Sequence, residues 1–179
     1  MKQKALFLDR DGIINVDHAY VYKISDFEFS HGIFELLQFF TKKGYLLFIV
    51  TNQSGIGRGY YTLEAFGTLT DWMTGTLEQK GIDIKEVAYC PHTPNENCHC
   101  RKPKTGMIDN ILTHYPIDLE NSWMIGDKQS DIDLAHNAHI GSSIAIGDNT
   151  FEHYDYHFTS IAVCIEYLKE NSDKMSIKG

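Results

Sequence analysis

The chain has 179 residues, 42% of them hydrophobic and 22% charged, which is typical of one globular domain and excludes a disordered chain. Its formal net charge of −8 argues against a cationic nucleic-acid-binding protein. The longest strongly apolar run, residues 45–50, is far shorter than the ~20 residues of a membrane helix. The apolar run at residues 5–8 is also too short for a signal-peptide core. We therefore expect a cytoplasmic protein that binds neither nucleic acid nor membrane.

Short apolar runs alternate with longer segments along the chain. The predicted strands, which are short and rich in aliphatic or aromatic residues, are residues 4–8, 45–50, 87–89, 122–125 and 143–146. The predicted helices, which lie between and after these strands, are residues 34–40, 62–80, 105–114, 131–137 and 161–170. This alternation predicts an α/β fold, a Rossmann-like three-layer sandwich with a mainly parallel central sheet and no large cap domain. We expect a single domain over residues 1–170, followed by a polar tail (residues 171–179).

Two aspartates end the first predicted strand. Asp9 and Asp11 are two residues apart, so on a strand their side chains point to the same side, and Gly12 allows a sharp turn after them. Ligands of open parallel sheets bind beyond the carboxyl ends of the strands, where these residues fall. The pair therefore predicts a bound cation or a carboxyl group with a raised pKa.

Polar residues also follow other predicted strands. Thr51 begins a Thr-Asn-Gln-Ser-Gly sequence that could bind an anion, and Asp127 and Asp131 follow the fourth strand. Carboxylate oxygens in this arrangement suit Mg²⁺, and the cationic segment 101–104 could hold phosphate. Each motif alone also fits a solvated turn or surface charge. Their joint placement at strand ends and in loops instead favours a functional site.

A group of sulfur and imidazole ligands lies in the zinc loop (residues 90–100). The candidate ligands are Cys90, His92, Cys98 and Cys100. Three thiolates and one imidazole match a tetrahedral Zn²⁺ site, and four protein ligands leave no open position, so we expect the zinc to be structural. His99 is a competing ligand, and free or disulfide-bonded thiols are the alternative. The zinc would hold in place the adjacent Arg101 and Lys102.

These motifs together resemble the haloacid dehalogenase superfamily of aspartate-nucleophile phosphatases, over nearly the whole chain. The superfamily's four motifs are similar, in the expected order, to residues 9–12, Thr51, Lys102 and residues 126–131. A narrower branch contains heptose bisphosphate phosphatases and the histidinol-phosphate phosphatase domain. The similarity to that branch is carried by residues 51–59, 100–103 and 123–128.

The resemblance implies a role for each motif. Asp9 would be the nucleophile and Asp11 the general acid and base, while Thr51 and Lys102 would bind the transferring phosphoryl group. Catalytic Mg²⁺ would be held by Asp9, Asp11 and Asp127, and structural Zn²⁺ by the zinc loop. The residues expected to contact the rest of the substrate are Asp17, His18, Tyr20, Asn52, Gln53, Ser54, Arg101 and Lys128.

The expected partner is a small phosphorylated metabolite, bound by a monomer. We expect removal of the 7-phosphate of D-glycero-D-manno-heptose 1,7-bisphosphate, because Arg101, Lys128 and His18 suit a second phosphate. Histidinol phosphate is the alternative substrate, and a phospho-accepting receiver module is the alternative from another class. The sequence departs from the family pattern at Ala19, where glycine is usual.

Overall fold

Six short strands form the central layer of the structure, a computed structural model that describes residues 1–177. The strands are β1 (Ala5–Leu8), β2 (Leu46–Asn52), β3 (Ile84–Cys90), β4 (Trp123–Gly126), β5 (Ser142–Ile146) and β6 (Tyr156–Phe158). Their order in the sheet is β3-β2-β1-β4-β5-β6, and every neighbouring pair is parallel. All residues of β1 and β4 are buried, as is required of parallel strands that are covered on both faces.

Helices cover both faces of this sheet. They are α1 (Ile33–Lys42), α2 (Ser54–Gly57), α3 (Leu63–Glu78), α4 (Gly106–His114), α5 (Gln129–Asn137) and α6 (Ile161–Asn171). Helices α1, α3 and α6 share one hydrophobic core with Leu6 and Leu8 of β1. Helices α4 and α5 share the other core with Ala5 and Phe7, whose side chains point to the opposite face of the strand. The predicted three-layer α/β sandwich with a parallel sheet is confirmed.

Strand β1 is the point at which the winding of the sheet reverses. The chain adds β2 and β3 on one side of β1, and then β4, β5 and β6 on the other side. In such a sheet, a crevice forms beyond the carboxyl ends of the two strands on either side of the reversal, here β1 and β4. Asp9 follows β1 and Asp127 follows β4, so both residues lie at this crevice.

Local sequence signals explain where helix α3 begins and where helix α1 ends. The hydroxyl of Thr62 accepts a hydrogen bond from the backbone N–H of Ala65 at 3.0 Å, which caps the start of α3 as the sequence predicts. Gly44 follows α1 with a φ of +79°, a conformation that glycine adopts readily at the end of a helix.

The structure differs from the sequence expectations in three elements and in the burial of the carboxyl end. Strand β6 and the short helix α2 were not expected, and the strand expected at residues 87–89 extends over Ile84–Cys90. Within the predicted polar tail, Met175 and Ile177 are buried in the core that contains α6. Residues 178 and 179 of that tail lie outside the described residues.

The connections carry no further folded layer within residues 1–177. The segment between β1 and α1 contains one 3₁₀ turn, Ile24–Asp26, and no cap domain is inserted within the described residues. No helix in this part of the chain is both long and apolar enough to cross a membrane.

Candidate active site

Three aspartates and one lysine meet at the crevice between β1 and β4. One carboxylate oxygen each of Asp9, Asp127 and Asp131 (the aspartate cluster) lies within 4.8 Å of the others. The ammonium of Lys102 donates hydrogen bonds to Asp9 Oδ1 at 2.9 Å and to Asp131 Oδ1 at 2.7 Å. It donates a third to the carbonyl of Val50 at 2.9 Å. Because Lys102 is 5% exposed, its charge acts on the carboxylates with little screening by water.

The aspartate cluster carries more negative charge than Lys102 can neutralise. Burial, followed by repulsion from Asp9 and Asp131, raises the pKa of Asp127 to about 8. Burial and repulsion from Asp9 likewise raise the pKa of Asp131 to about 6. Burial also acts to raise the pKa of Asp9, but Lys102 outweighs it and the pKa lies below its ordinary value. Asp127 Oδ1 is buried without a hydrogen-bond partner. The cluster therefore has the oxygen ligands and the charge of a divalent-cation site.

Two glycines make room for the aspartate cluster. Gly12 has a φ of +86°, and a Cβ at this position would lie 2.0 Å from Asp127 Oδ2. A Cβ at Gly126 would lie 2.1 Å from the Cβ of Asp131. Any side chain at either position would therefore displace a carboxylate of the cluster.

The carboxylate of Asp11 is held by three neighbouring side chains. Arg10 Nη2 donates to Asp11 Oδ1 at 2.9 Å, and Asn15 Nδ2 donates to the same oxygen at 3.0 Å. Gln53 Nε2 donates to Asp11 Oδ2 at 3.0 Å. The third carboxylate of the aspartate cluster belongs to Asp131. The Asp11 side chain is engaged outside the cluster, which leaves its backbone carbonyl as the group of Asp11 that could help to hold a cation.

Sequence reasoning does not identify two buried residues of this site. Arg10 is 1% exposed, donates from Nη2 to the carbonyl of Val21 at 2.7 Å, and has its guanidinium 6.0 Å from the ring of Phe27. Tyr61 is 6% exposed and donates from its hydroxyl to Gln53 Oε1 at 2.5 Å. The position of Arg10 between Asp9 and Asp11 is a signal that could have marked it, whereas Tyr61 stands in no pattern.

A cavity of about 390 Å³ opens beside the aspartate cluster. The sequence-predicted residues that line it are Asp9, Asp11, Asp17, Tyr20, Asn52, Gln53, Ser54, Arg101, Lys102 and Lys128. Thr51 is 1% exposed, and its hydroxyl accepts a hydrogen bond from Gln53 Nε2 at 2.9 Å. His18 does not line this cavity, because its ring is turned to the carboxylate of Glu28, with Nε2 at 3.2 Å from Oε2. The structure thus brings together all the predicted substrate contacts except His18.

Two cationic side chains line the cavity beyond the aspartate cluster. Lys128 Nζ lies 3.9 Å from Asp17 Oδ2, and this pair is partly exposed. Arg101 has its Nη1 buried without a hydrogen-bond partner. The charge of Arg101 and Lys128 is therefore available to an anion that enters the cavity.

The cavity wall at residues 19 and 20 is conformationally strained. Ala19 has a φ of +58° and Tyr20 a φ of +52°, in the left-handed region that favours glycine. The family pattern of glycine at the position of Ala19 fits this conformation. Strain of this kind persists where the surrounding structure holds a loop at a functional site.

The four candidate zinc ligands converge in the zinc loop. Cys90 Sγ lies 3.8 Å from Cys98 Sγ and 3.4 Å from His92 Nδ1. Tetrahedral Zn²⁺ places two sulfurs ~3.8 Å apart and a sulfur and a nitrogen ~3.6 Å apart. Cys100 Sγ lies closer, 2.8 Å from Cys90 Sγ and 3.2 Å from His92 Nδ1, and none of the cysteines forms a disulfide. The set is arranged so that it could hold zinc. His99 is exposed and outside the set.

Hydrogen bonds hold the cationic segment 101–104 against the end of β2 and against the zinc loop. The side chain of Asn52 pairs with the backbone of Lys102, accepting from its N–H at 3.0 Å and donating to its carbonyl at 3.4 Å. Lys104 Nζ donates to the carbonyl of Cys98 at 2.6 Å. Lys104 therefore binds the zinc loop, and Lys102 is the cation that contacts the aspartates.

Comparisons with known proteins give relatives along nearly the whole chain. A family model described as HAD-hydrolase-like matches residues 99–153. The chain is 46% identical over 171 residues to a D-glycero-alpha-D-manno-heptose-1,7-bisphosphate 7-phosphatase of Campylobacter jejuni, covering 95% of this chain and 98% of the relative. It is 48% identical over 147 residues to a D-glycero-beta-D-manno-heptose-1,7-bisphosphate 7-phosphatase of Helicobacter pylori strain J99, covering 82% of this chain and 84% of the relative.

A solved structure has the same fold. It is that of D,D-heptose 1,7-bisphosphate phosphatase from B. bronchiseptica, complexed with magnesium and phosphate. The two chains align with a TM-score of 0.80 and 28% sequence identity, over 94% of this chain and 99% of that chain.

Proposed function

Since the chain belongs to the haloacid dehalogenase superfamily of phosphatases, we propose that it removes the 7-phosphate of D-glycero-D-manno-heptose 1,7-bisphosphate. One observation carries the proposal: Asp9, Asp11 and Lys102 line a single cavity that also contains the cations Arg101 and Lys128. The first three are the groups needed to transfer a phosphoryl group to a carboxylate. The last two supply charge for a second phosphate on the same substrate.

Magnesium is the cation that the proposal assigns to the aspartate cluster. The residues present fit it, because Mg²⁺ prefers hard oxygen ligands and Asp127 Oδ1 is buried without a partner. The side chains of Asp9 and Asp127 and the backbone carbonyl of Asp11 would hold the ion. When bound, it supplies positive charge that reduces the repulsion between the nucleophile and the substrate phosphate.

The reaction begins with attack by the carboxylate of Asp9 on phosphorus. The bond from phosphorus to the sugar oxygen breaks, and Asp11 gives its proton to that oxygen, because an alkoxide leaves poorly without one. The phosphoryl group is then bound to Asp9 as an acyl phosphate, which is a mixed anhydride. Asp11, now a carboxylate, takes a proton from a water molecule that attacks phosphorus, and inorganic phosphate leaves as Asp9 is regenerated.

Thr51 and Lys102 are assigned to the equatorial oxygens of the transferring group. The Thr51 hydroxyl already accepts from Gln53, so its own proton is free to be donated to a phosphoryl oxygen. Lys102 contacts Asp9 directly, so a phosphoryl group on Asp9 would lie within reach of its ammonium.

The zinc loop is assigned a structural role beside this chemistry. A zinc ion held by its three thiolates and one imidazole would fix the segment that carries Arg101 and Lys102. The proposal also places the enzyme in the cytoplasm, where clustered thiols stay reduced and available to metal. We propose that the protein is a monomer and that its partners are small phosphorylated metabolites. The elution volume in gel filtration would check the monomeric state.

Phosphate release from a panel of esters tests the proposed function. The panel contains both anomers of the heptose bisphosphate, because the two bacterial relatives are named for different anomers, with a heptose monophosphate and histidinol phosphate. We expect the highest kcat/KM on a heptose bisphosphate. Arg101→Met and Lys128→Met should reduce the preference for bisphosphate over monophosphate while leaving the monophosphate rate nearly unchanged. Equal kcat/KM on mono- and bisphosphate, or a preference for histidinol phosphate, would contradict the proposed substrate.

A further inference from the structure

Tyr61 lies in the wall of the active-site cavity, and its hydroxyl is hydrogen-bonded to Gln53. Its ring stacks on Tyr22, with the centroids 5.2 Å apart and the planes 8° from parallel. Its hydroxyl donates to Gln53 Oε1 at 2.5 Å. Burial raises the pKa of Tyr61 to about 12, so the hydroxyl keeps its proton and remains a donor.

Gln53 is hydrogen-bonded both to Tyr61 and to Asp11, the proposed general acid. It is 3% exposed, and its Nε2 donates both to Asp11 Oδ2 at 3.0 Å and to Thr51 Oγ1 at 2.9 Å. The two bonds use both donors of the NH₂ end of the amide, so the oxygen end faces away from Asp11. The Tyr61 hydroxyl is the group that satisfies the oxygen end in this orientation.

The ring of Tyr61 packs closely against the backbone at Gly55. A Cβ at Gly55 would lie 2.1 Å from Tyr61 Cε1 and 2.8 Å from Cζ, so only glycine leaves room for the ring. The opposite oxygen of Asp11 is held by Arg10, whose guanidinium is itself 1% exposed. Asp11 is thus fixed from two sides by buried groups whose places are set by packing.

We propose that Tyr61 is a positioning residue for phosphate-ester cleavage, acting through the amide of Gln53 to hold the carboxyl group of Asp11 in line with the leaving oxygen. This inference rests on the proposed function, in which Asp11 protonates that oxygen. Without the Tyr61 hydroxyl, Gln53 Oε1 becomes a buried acceptor without a partner, and the amide gains freedom to rotate. Asp11 then loses its support on Oδ2, while Asp9 and the aspartate cluster keep all their contacts.

Misplacement of the acid has a specific kinetic signature. An acidic phenol leaves readily without a proton, whereas a weakly acidic phenol needs one, so loss of acid catalysis harms weakly acidic leaving groups most. The second step of the reaction, hydrolysis of the phosphorylated Asp9, does not enter kcat/KM, because transfer to Asp9 releases the phenol irreversibly. The dependence of kcat/KM on leaving-group acidity therefore reports on the Asp11 proton alone.

The test compares wild type with Tyr61→Phe on substituted phenyl phosphates whose phenols differ in acidity but not in size. We expect kcat/KM to fall about tenfold for the least acidic phenol and to change little for the most acidic, giving a steeper dependence in the variant. Asp11→Asn gives the limit of no acid catalysis. Tyr22→Phe is the matched control, since it removes a hydroxyl from the stacked ring without touching Gln53, and its dependence should equal that of wild type.

Two outcomes overturn the inference. A uniform fall in kcat/KM across the phenol series, with an unchanged slope, would mean that Tyr61 supports the fold or binds substrate without positioning the acid. Unchanged kcat/KM throughout would mean that the bond to Gln53 has no role. Thermal melting of Tyr61→Phe identifies a loss of fold, which lowers the active fraction equally for every ester. Failure of wild type to release phosphate from any ester would overturn the proposed function and this inference with it, whereas equal slopes overturn this inference alone.

Discussion

Replacing Asp127 by asparagine should stabilise the magnesium-free protein while removing its activity. The pKa of Asp127 is raised to about 8, first by burial and then by repulsion from Asp9 and Asp131. A carboxyl group whose folded pKa is raised contributes its stability below its unfolded pKa, and that contribution is lost as the pH rises through the folded pKa. Wild type without magnesium should therefore lose stability between about pH 4 and about pH 8. Asparagine has the same shape and no charge, so the variant escapes this loss.

The size of the effect follows from the change in pKa. The value moves from 3.8 to about 8, and each pKa unit corresponds to about 1.4 kcal/mol, so the upper limit, reached above pH 8, is about 6 kcal/mol. Relaxation of the site and entry of water reduce such penalties, and we expect ~2 kcal/mol in unfolding free energy. Magnesium, which binds only the folded wild-type cluster, should restore the stability of wild type and leave the variant unchanged.

Urea unfolding at about pH 5 and about pH 8, with and without magnesium, measures this difference. Magnesium is removed by dialysis and not by a strong chelator, which would also take zinc from the zinc loop. Asp133→Asn is the matched control, because Asp133 lies on α5 outside the aspartate cluster. The reasoning is refuted if Asp127→Asn is no more stable than wild type near pH 8, or if its advantage does not grow with pH.

Three further substitutions have defined outcomes. Gly12→Ala places a Cβ 2.0 Å from a carboxylate oxygen of Asp127 at a φ of +86°, so it should abolish turnover and lower the unfolding free energy by about 1–3 kcal/mol, as urea titration would detect. Cys100→Ser should lower both the zinc content, measured by metal analysis, and the phosphatase activity, measured in rate assays. The control Cys164→Ala changes a buried thiol of the core and should keep about one zinc per chain. Lys104→Met should retain turnover, because the Lys104 ammonium donates its hydrogen bond to a carbonyl of the zinc loop and not to the aspartates. A loss of turnover as large as that expected on removing Lys102 would contradict this.

The sequence predicts which side chains meet at the candidate site because these side chains stand at strand ends. Asp9 and Asp11 follow β1 and Asp127 follows β4, and parallel strands bring their carboxyl ends to one edge of the sheet. The strands themselves are continuous apolar runs that are easily recognised. The catalytic arrangement is therefore encoded in local patterns together with one rule of topology.

Side-chain contacts across loops and short helices are not encoded in this way. His18 is turned to Glu28 across a loop, and no local spacing indicates that contact. Gln53 directly precedes the short helix α2 and Tyr61 follows it, and this helix has only four residues and no periodic signal that would indicate their hydrogen bond.

The carboxyl end shows the same limit for packing. Met175 and Ile177 stand alone among polar residues, so neither has the apolar periodicity that predicts a buried segment. They are nevertheless buried against the core that contains α6. Strand β6 has only three residues, Tyr156–Phe158, and joins the sheet by pairing with β5. A run of that length is recognised only when its neighbour is known.

Trapping the covalent intermediate tests the central claim most directly. Wild type is mixed with excess heptose bisphosphate and magnesium, quenched in acid during the first turnovers, digested and examined by mass spectrometry. A phosphoryl group on Asp9 of the peptide that contains β1, absent from Asp9→Asn, is the result that the proposed reaction predicts. Rapid phosphate release with no phosphoryl group on that peptide, together with turnover by Asp9→Asn, would contradict it.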